Sequence, residues 1–246
     1  MKLEFIPVKT RIVKPPKDEI WDILDALPPL HDNDIVFITS KILAIHQGRT
    51  VPIGSTSKVE LIQREASHYL PYKHPSGFNV NLAITNNILA PAAGIDESNG
   101  CNHYILLPKD SDKLCREIRT YLCSKNKIKN LGVVSTDSHT TPLRWGVTGF
   151  TLGLAGVEPL KDVRGNLDLF GREMHLTQVN KIDPLASMAV LLMGETNEGT
   201  PIVLLRGYSD IVFNDVASME QFTISPEMDL YRPLLEVLPE RKVSNF

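Results

Sequence analysis

Three short segments carry side chains able to bind a cation or a phosphate. The first is Ala92-Ala93-Gly94-Ile95-Asp96-Glu97-Ser98-Asn99, in which small residues lead into a compact run of oxygen-bearing side chains. Such a loop can set the Asp96 carboxylate on a hard divalent cation and leave the Asn99 amide to hydrogen-bond. The same residues also fit an Asx-type turn between strands. The second is Val133-Val134-Ser135-Thr136-Asp137-Ser138, read as an apolar strand ending in an acid and a hydroxyl. Ligands in α/β proteins gather at the C-terminal ends of strands. Asp137 and Ser138 could hold one or two metal ions there, with Arg144 neutralising phosphate; a plain strand end before a cap or turn fits equally. The third is the junction Met193-Gly194-Glu195-Thr196-Asn197-Glu198-Gly199-Thr200, where a buried helix gives way to a polar loop. Its backbone could wrap a nucleotide while Glu195 ligates a metal, or it could simply connect helix to strand.

Other chemistries lack their signatures. The chain has no GxxxxGK[ST] loop, no GxGxxG after a strand, no HExxH and no GxSxG elbow, and its seven histidines are scattered. An enzyme built on this chain must therefore assemble its site from acidic and polar residues that the fold brings together. The formal net charge of -3 offers no electrostatic footprint for nucleic acid, and the lysines between Lys125 and Lys129 fit a solvated loop. No apolar run reaches the ~20 residues needed to cross a bilayer, and the first residues, Met1 to Ile6, carry no extended apolar stretch and do not read as a signal peptide. Three cysteines without a CxxC pair argue against a disulfide framework or a cysteine-built zinc site. A reducing cytoplasm is the expected setting.

The elements that must position these residues alternate between helical and strand patterns, which predicts a mixed α/β or α+β protein. Ile20, Ile23, Leu24 and Leu27 recur at helical spacing between two proline pairs. Val59, Ile62, Ala66 and Tyr69 predict a second helix, and Leu114, Ile118, Tyr121 and Leu122 a third. Residues 34–40, 81–85, 104–107, 131–134 and 202–205 read as strands. A further helix is expected from Asp183 to Met193, with Asp183 as N-cap, Pro184 at the first helical position and Gly194 after the end. Being apolar nearly all round, it is expected to be deeply buried. The stretch from Gly146 to Gly153, with its spaced glycines, predicts a strand with close backbone approaches. No repeat and no domain boundary is visible, so residues 1–246 are taken as a single catalytic domain, any subdivision into two having no marked boundary.

In this order, the three segments resemble the coenzyme F420-0:L-glutamate ligase family, a group of gamma-glutamyl ligases. GIDESN at Gly94 to Asn99 is the sharpest match. The stretches from Leu131 to Pro142, Asp162 to Glu173 and Asp183 to Gly207 follow in family order, and LASMAVLLMGE followed by PIVLLRG is specific. The resemblance implies an F420-0:gamma-glutamyl ligase-like α/β fold with mixed sheets and an intertwined homodimer. It also implies GTP or ATP as co-substrate, two divalent ions (Mg2+ or Mn2+), and L-glutamate and a small carboxylate acceptor as partners. Carried over by position, Asp96 and Asp137 match ligands of one ion, and Ser138 and Glu195 match ligands of the second. Ser40, Lys41, Asn99 and the loop from Met193 through Gly194, Thr196, Asn197, Glu198 and Gly199 to Thr200 fall where the nucleotide is held. The implied reaction passes through an acyl phosphate that the amine of glutamate attacks.

The chain departs from the family pattern at two places. Asp137-Ser138-His139-Thr140-Thr141-Pro142 replaces a threonine and a Gly-Arg-Pro sequence, although Arg144 remains. Ile45 stands where a second basic residue is often found. These changes point to a divergent branch with an F420-0-like or folate-like acceptor; the alternative is a non-catalytic nucleotide- and metal-binding descendant.

Overall fold

An unbroken apolar run such as Ile35-Val36-Phe37-Ile38 suits a strand covered on both faces, and that is where it lies. In the computed structural model, which describes residues 2–77 and 79–239, the strands are β1 (Glu4–Val8), β2 (Asp34–Thr39), β3 (Thr50–Pro52), β4 (His68–Lys73), β5 (Asn79–Thr85), β6 (Ile88–Pro91), β7 (His103–Ile105), β8 (Leu131–Thr140), β9 (Val147–Val157), β10 (Leu160–Asp162), β11 (Gln178–Asn180), β12 (Ile202–Arg206) and β13 (Phe213–Asn214). The helices are α1 (Trp21–Asp25), α2 (Ser40–His46), α3 (Lys58–Glu65), α4 (Ser111–Asn126), α5 (Ile182–Met193) and α6 (Arg232–Leu235).

The central sheet has the order β1-β12-β2-β8-β9-β13. Only β2 and β8 run parallel; the other neighbours are antiparallel, so the sheet is mixed and the fold is α/β with mixed sheets. Because side chains alternate along a strand, β2 feeds two cores. Val36 and Ile38 join Val133, Leu204, the α2 residues Ile42 to Ile45, and Leu114, Ile118 and Leu122 of α4. Ile35 and Phe37 join Val134, Leu205 and the α5 residues Ala186, Ala189, Val190 and Met193 on the opposite face. Each such leucine, isoleucine or phenylalanine contributes roughly 1.5–3 kcal/mol by leaving water. A separate cluster packs Leu61 and Ile62 of α3 against Ala83, Ile95 and Leu106 beside the β4-β5-β6 sheet.

Several element ends differ from the sequence expectation. Ser40 opens α2 rather than closing β2, because Ile42, Leu43, Ala44 and Ile45 are all buried by coiling there. The helix expected through Tyr69 stops at Glu65. A Ser57–Glu60 capping box fixes its start, while His68–Lys73 is taken by pairing with β5. The strand expected to end at Val134 runs on to Thr140, because β9 pairs with it throughout. The strand expected over 104–107 spans His103–Ile105 instead, after which Leu106 N–H donates to the Arg49 carbonyl.

The helix expected from Asp183 starts one residue earlier, and Asp183 is not its N-cap. Asn180 Oδ1 accepts from Asp183 N–H at 3.0 Å, and the Asp183 carboxylate accepts from Thr151 N–H at 2.9 Å. Nor is α5 buried all round: Leu191 is 73% exposed and Met188 is also outward, so only one face packs on the sheet. The glycine-spaced stretch is β9, as expected. A Cβ at Gly153 would lie 2.4 Å from Ser111 Cβ, so its absence lets α4 begin against the strand.

Candidate active site

The site forms where the two parallel strands part company. Thr39 and Thr136 are the last residues paired between β2 and β8. There the chain of β2 turns into α2, while β8 continues through Asp137, so the first residues of α2 face the extension of β8. Asp137 therefore lies inside a strand rather than at its end, as the sequence had suggested.

Ser40, 4% exposed, donates from its hydroxyl to Asp137 Oδ2 at 2.8 Å, and Ser138 N–H donates to Asp137 Oδ1 at 2.8 Å. Burial pushes the Asp137 carboxyl up to about 6. The bonds from Ser40 and Ser138 oppose that shift, and the neighbouring charge of Asp96 adds to it.

Asp96 is held by the next residue of the same helix. Lys41 Nζ lies 2.5 Å from Asp96 Oδ2 and also donates to the Ser98 carbonyl and hydroxyl at 3.0 and 2.9 Å. The Asp96 carboxylate accepts from Glu97 N–H at 2.6 Å, Ser98 N–H at 2.8 Å and Ser98 Oγ at 2.9 Å, so the turn reading of this segment describes its backbone. Burial works against ionisation here, but Lys41 and the Ser98 donors outweigh it and hold the Asp96 carboxyl below its usual range. Consecutive residues of α2 thus reach the two candidate carboxylates, one each.

The junction after α5 closes the other side. Ser138 points away from Asp137 along the pleat and donates to Glu195 Oε2 at 3.3 Å. Asn99 Nδ2 donates to the Thr196 carbonyl at 2.8 Å, tying the GIDESN loop to this junction. Gly194 has φ 78°, and a Cβ there would lie 2.2 Å from Glu198 Cδ. Glycine lets Glu198 fold back and accept from Thr196 N–H at 2.9 Å and Thr196 Oγ1 at 3.0 Å. Thr196 Oγ1 also donates to Asn197 Oδ1 at 3.4 Å, and Thr200 Oγ1 donates to the Met193 carbonyl at 2.8 Å. Gly199 accepts from Thr10 N–H at 3.1 Å.

Most of the residues singled out in the sequence therefore meet in one hydrogen-bonded region. Arg144 is the exception. It sits on the exposed turn between β8 and β9, where its Nη1 donates to the Leu143 carbonyl at 2.9 Å. Ile45 is 2% exposed and packs in the core beneath α2. Sequence reasoning passed over the clamping role of Ser98, although it lay inside the acidic cluster. It also passed over the approach of Thr10, for which no local signal existed.

The donor set suits a cation that brings other ligands with it. Among the described residues, no three His, Cys, Asp or Glu side chains converge, so the protein alone builds no complete cage. A magnesium-like ion needs only one or two carboxylates and takes its remaining ligands from water and phosphate. Asp137 fits that requirement: it is bonded to a hydroxyl and an N–H but to no cationic side chain.

A family model described as F420-0:Gamma-glutamyl ligase matches residues 7–207. The chain is 30% identical to the coenzyme F420:L-glutamate ligase of Methanopyrus kandleri, over 94% of this chain and 98% of that protein. It is 32% identical to the protein of the same name from Methanocaldococcus jannaschii, over 84% and 88% of the two chains. With the Archaeoglobus fulgidus protein of that name it shares 29% identity over 96% and 99%.

Proposed function

Because the chain belongs to the F420-0:Gamma-glutamyl ligase family, we propose that it is an amide-forming ligase joining L-glutamate to a small carboxylate, driven by GTP or ATP. The relatives carry the name of ligases that act on coenzyme F420 and L-glutamate; the acceptor here is F420-0-like or folate-like. The observation that carries the reading is the convergence of Asp96 and Asp137 on Ser40 and Lys41 beside the loop from Gly194 to Thr200.

In the proposed reaction, an oxygen of the acceptor carboxylate attacks the terminal phosphorus of the nucleotide. The bond to the bridging oxygen breaks and the nucleoside diphosphate leaves. The amine of L-glutamate then attacks the acyl carbon, the acyl C–O bond breaks, inorganic phosphate leaves and the nitrogen gives up a proton. Such a sequence needs positioning and charge neutralisation more than a protein nucleophile.

Asp96 and Asp137 would hold one divalent ion and Ser138 with Glu195 a second, Mg2+ or Mn2+. Such ions would supply charge neutralisation at phosphate oxygens. Lys41 holds phosphate once it exchanges Asp96 for the nucleotide, while Asn99 and the backbone of the 194–200 loop hold the nucleotide in place. The hydroxyl of Ser40 fixes the orientation of the Asp137 carboxylate toward the proposed ion site.

We further propose that residues 1–246 act as one catalytic unit and pair with a second copy. Leu143 (95% exposed) and Trp145 (101%) at the β8–β9 turn, and Leu169 (99%) and Phe170 (95%) between β10 and β11, are apolar surface of the kind that partners cover. None of the described helices is long and apolar enough to cross a membrane, and a reducing cytoplasm is the proposed setting.

A second reading, a non-catalytic nucleotide-binding descendant, is favoured by the engagement of Lys41 with Asp96 and by the outward position of Arg144. One experiment separates the two. Phosphate release is followed with GTP and ATP, magnesium or manganese, L-glutamate and a panel of carboxylates, with mass spectrometry on the products. An acceptor gaining one glutamyl residue per phosphate supports the ligase; nucleotide binding without turnover across the panel supports the descendant.

A further inference from the structure

A cavity of ≈ 500 Å³ lies apart from the Ser40–Asp137 network, between the end of α3, the end of β5, the turn at Ala93 and the chain entering α4. Its size is that of small-molecule sites, about 300–1,000 Å³. Arg49, Arg64 and Lys109 line it opposite Glu65 and Asp110, so cations outnumber carboxylates by three to two.

The wall is held in place before any ligand arrives. Arg49 donates from Nε to the Leu107 carbonyl at 3.1 Å and pairs through Nη2 with Glu65, and Arg64 Nε lies 3.4 Å from the same carboxylate. The backbone of Lys109 is gripped at both ends by Gln47, whose Oε1 accepts from Lys109 N–H and whose Nε2 donates to the Lys109 carbonyl, each at 2.8 Å. The sixteen-residue helix α4 starts at Ser111, directly after Asp110, whose side chain makes no capping hydrogen bond, and the positive end of a helix attracts negative charge.

A further polar group has no occupation in the fold. Thr85 borders the cavity, is 5% exposed, and its hydroxyl has no hydrogen-bond partner among the described residues. That oxygen is closed off from the open space of the cavity, so the cost of leaving it unpaired is borne inside the wall, and a ligand would meet the cations rather than this hydroxyl.

We propose that this cavity binds a small carboxylate- or phosphate-bearing molecule, with the Arg49 guanidinium and the Lys109 ammonium as its polar contacts. The inference stands on the cavity and does not depend on the ligase reading. The bound anion rests against Ala93, three residues before Asp96, on the segment that presents the candidate catalytic loop.

The test is calorimetric titration of L-glutamate and, separately, of inorganic phosphate into the full chain, its Lys109→Gln variant and its Lys109→Glu variant, with EDTA present. The expected result is that at least one probe binds the unaltered chain and that its affinity falls about tenfold in Lys109→Gln, the scale of one lost charge-assisted hydrogen bond, and further in Lys109→Glu. Glutamate alone binding identifies a carboxylate ligand, and phosphate alone a phosphorylated one. Lys109 is exposed, so neither substitution removes packing from the core. Absence of binding by both probes at millimolar concentration, or unchanged affinity in both variants, overturns the proposal.

Discussion

Ser40 and Asp137, 97 positions apart in sequence, meet through a hydroxyl–carboxylate bond of 2.8 Å. The following residue, Lys41, pairs with Asp96. A two-residue step at the start of α2 therefore sets the spacing of both acids, and α2 is itself fixed by four consecutive buried side chains from Ile42 to Ile45. Precision at the site comes from core packing behind it.

Asp137→Asn is expected to cut ligation roughly 10²- to 10³-fold, the scale of losing one electrostatic partner of a transferring group, while leaving the fold intact. The amide keeps an acceptor for Ser40 and sheds the desolvation that raises the carboxyl to about 6. Phosphate release and a thermal melt check the two halves. Near-normal turnover would remove Asp137 from the proposed metal site.

Gly153→Ala is expected to destabilise the protein by about 1–3 kcal/mol, the usual cost of overpacking. The added methyl would fall 2.4 Å from Ser111 Cβ and 2.6 Å from the Ser111 backbone carbon, atoms that cannot swing aside. Urea denaturation measures the loss. An unchanged midpoint would mean that α4 does not press on β9 as closely as described.

How much of this was legible in the sequence depended on range. Helix α5 and its closing glycine were visible because Asp183-Pro184 and Gly194 punctuate a local pattern. The half-exposure of α5 was not, since a helix apolar all round carries no mark of which face finds the sheet. The continuation of β8 through Asp137 depends on β9, and Ser138-His139-Thr140 has no strong strand propensity of its own. The cluster around Asp96 was recognisable by composition. That Ser40 would meet Asp137 required the parallel placement of β2 and β8, which no local spacing encodes.

Arg206→Met is expected to cost about 3–5 kcal/mol, the penalty for leaving a buried charge without its partner. Asp34 is 1% exposed and accepts from Arg206 Nε at 2.9 Å and Nη2 at 2.7 Å, so the guanidinium grips it with both arms. Adding Asp34→Asn to that variant removes the stranded charge and should recover a large part of the loss. Equal stability of the single and double variants, by urea denaturation, would contradict this account.

Cysteine labelling should separate Cys101 from Cys115. Cys115 is fully buried, which pushes its thiol up to about 12, whereas Cys101 is exposed. The thiolate is the reacting form, so raising the pH from about 7 to about 9 should not open Cys115 to a maleimide while the protein is folded. Mass spectrometry of the labelled peptides should find Cys101 modified first and Cys115 modified only after denaturation. Early labelling of Cys115 would mean that the core between α4 and the sheet opens readily.

The proposed pairing of two copies can be tested at Trp145. Its side chain is 101% exposed beside Leu143 at 95%, on a turn whose backbone is carried by the ends of β8 and β9. With no burial in its own chain, Trp145→Glu has little to disturb in the monomer. A tryptophan at the centre of an interface contributes about 2 kcal/mol or more, so the variant should weaken association by roughly 30-fold or more. Analytical ultracentrifugation of the unaltered chain and of Trp145→Glu across micromolar concentrations measures this, with circular dichroism as the check on folding. A dimer that becomes a folded monomer places Trp145 in the interface. A dimer unmoved by the substitution moves the interface elsewhere, to the Leu169–Phe170 segment or the outward face of α5, and an unaltered chain that is monomeric throughout removes the pairing itself.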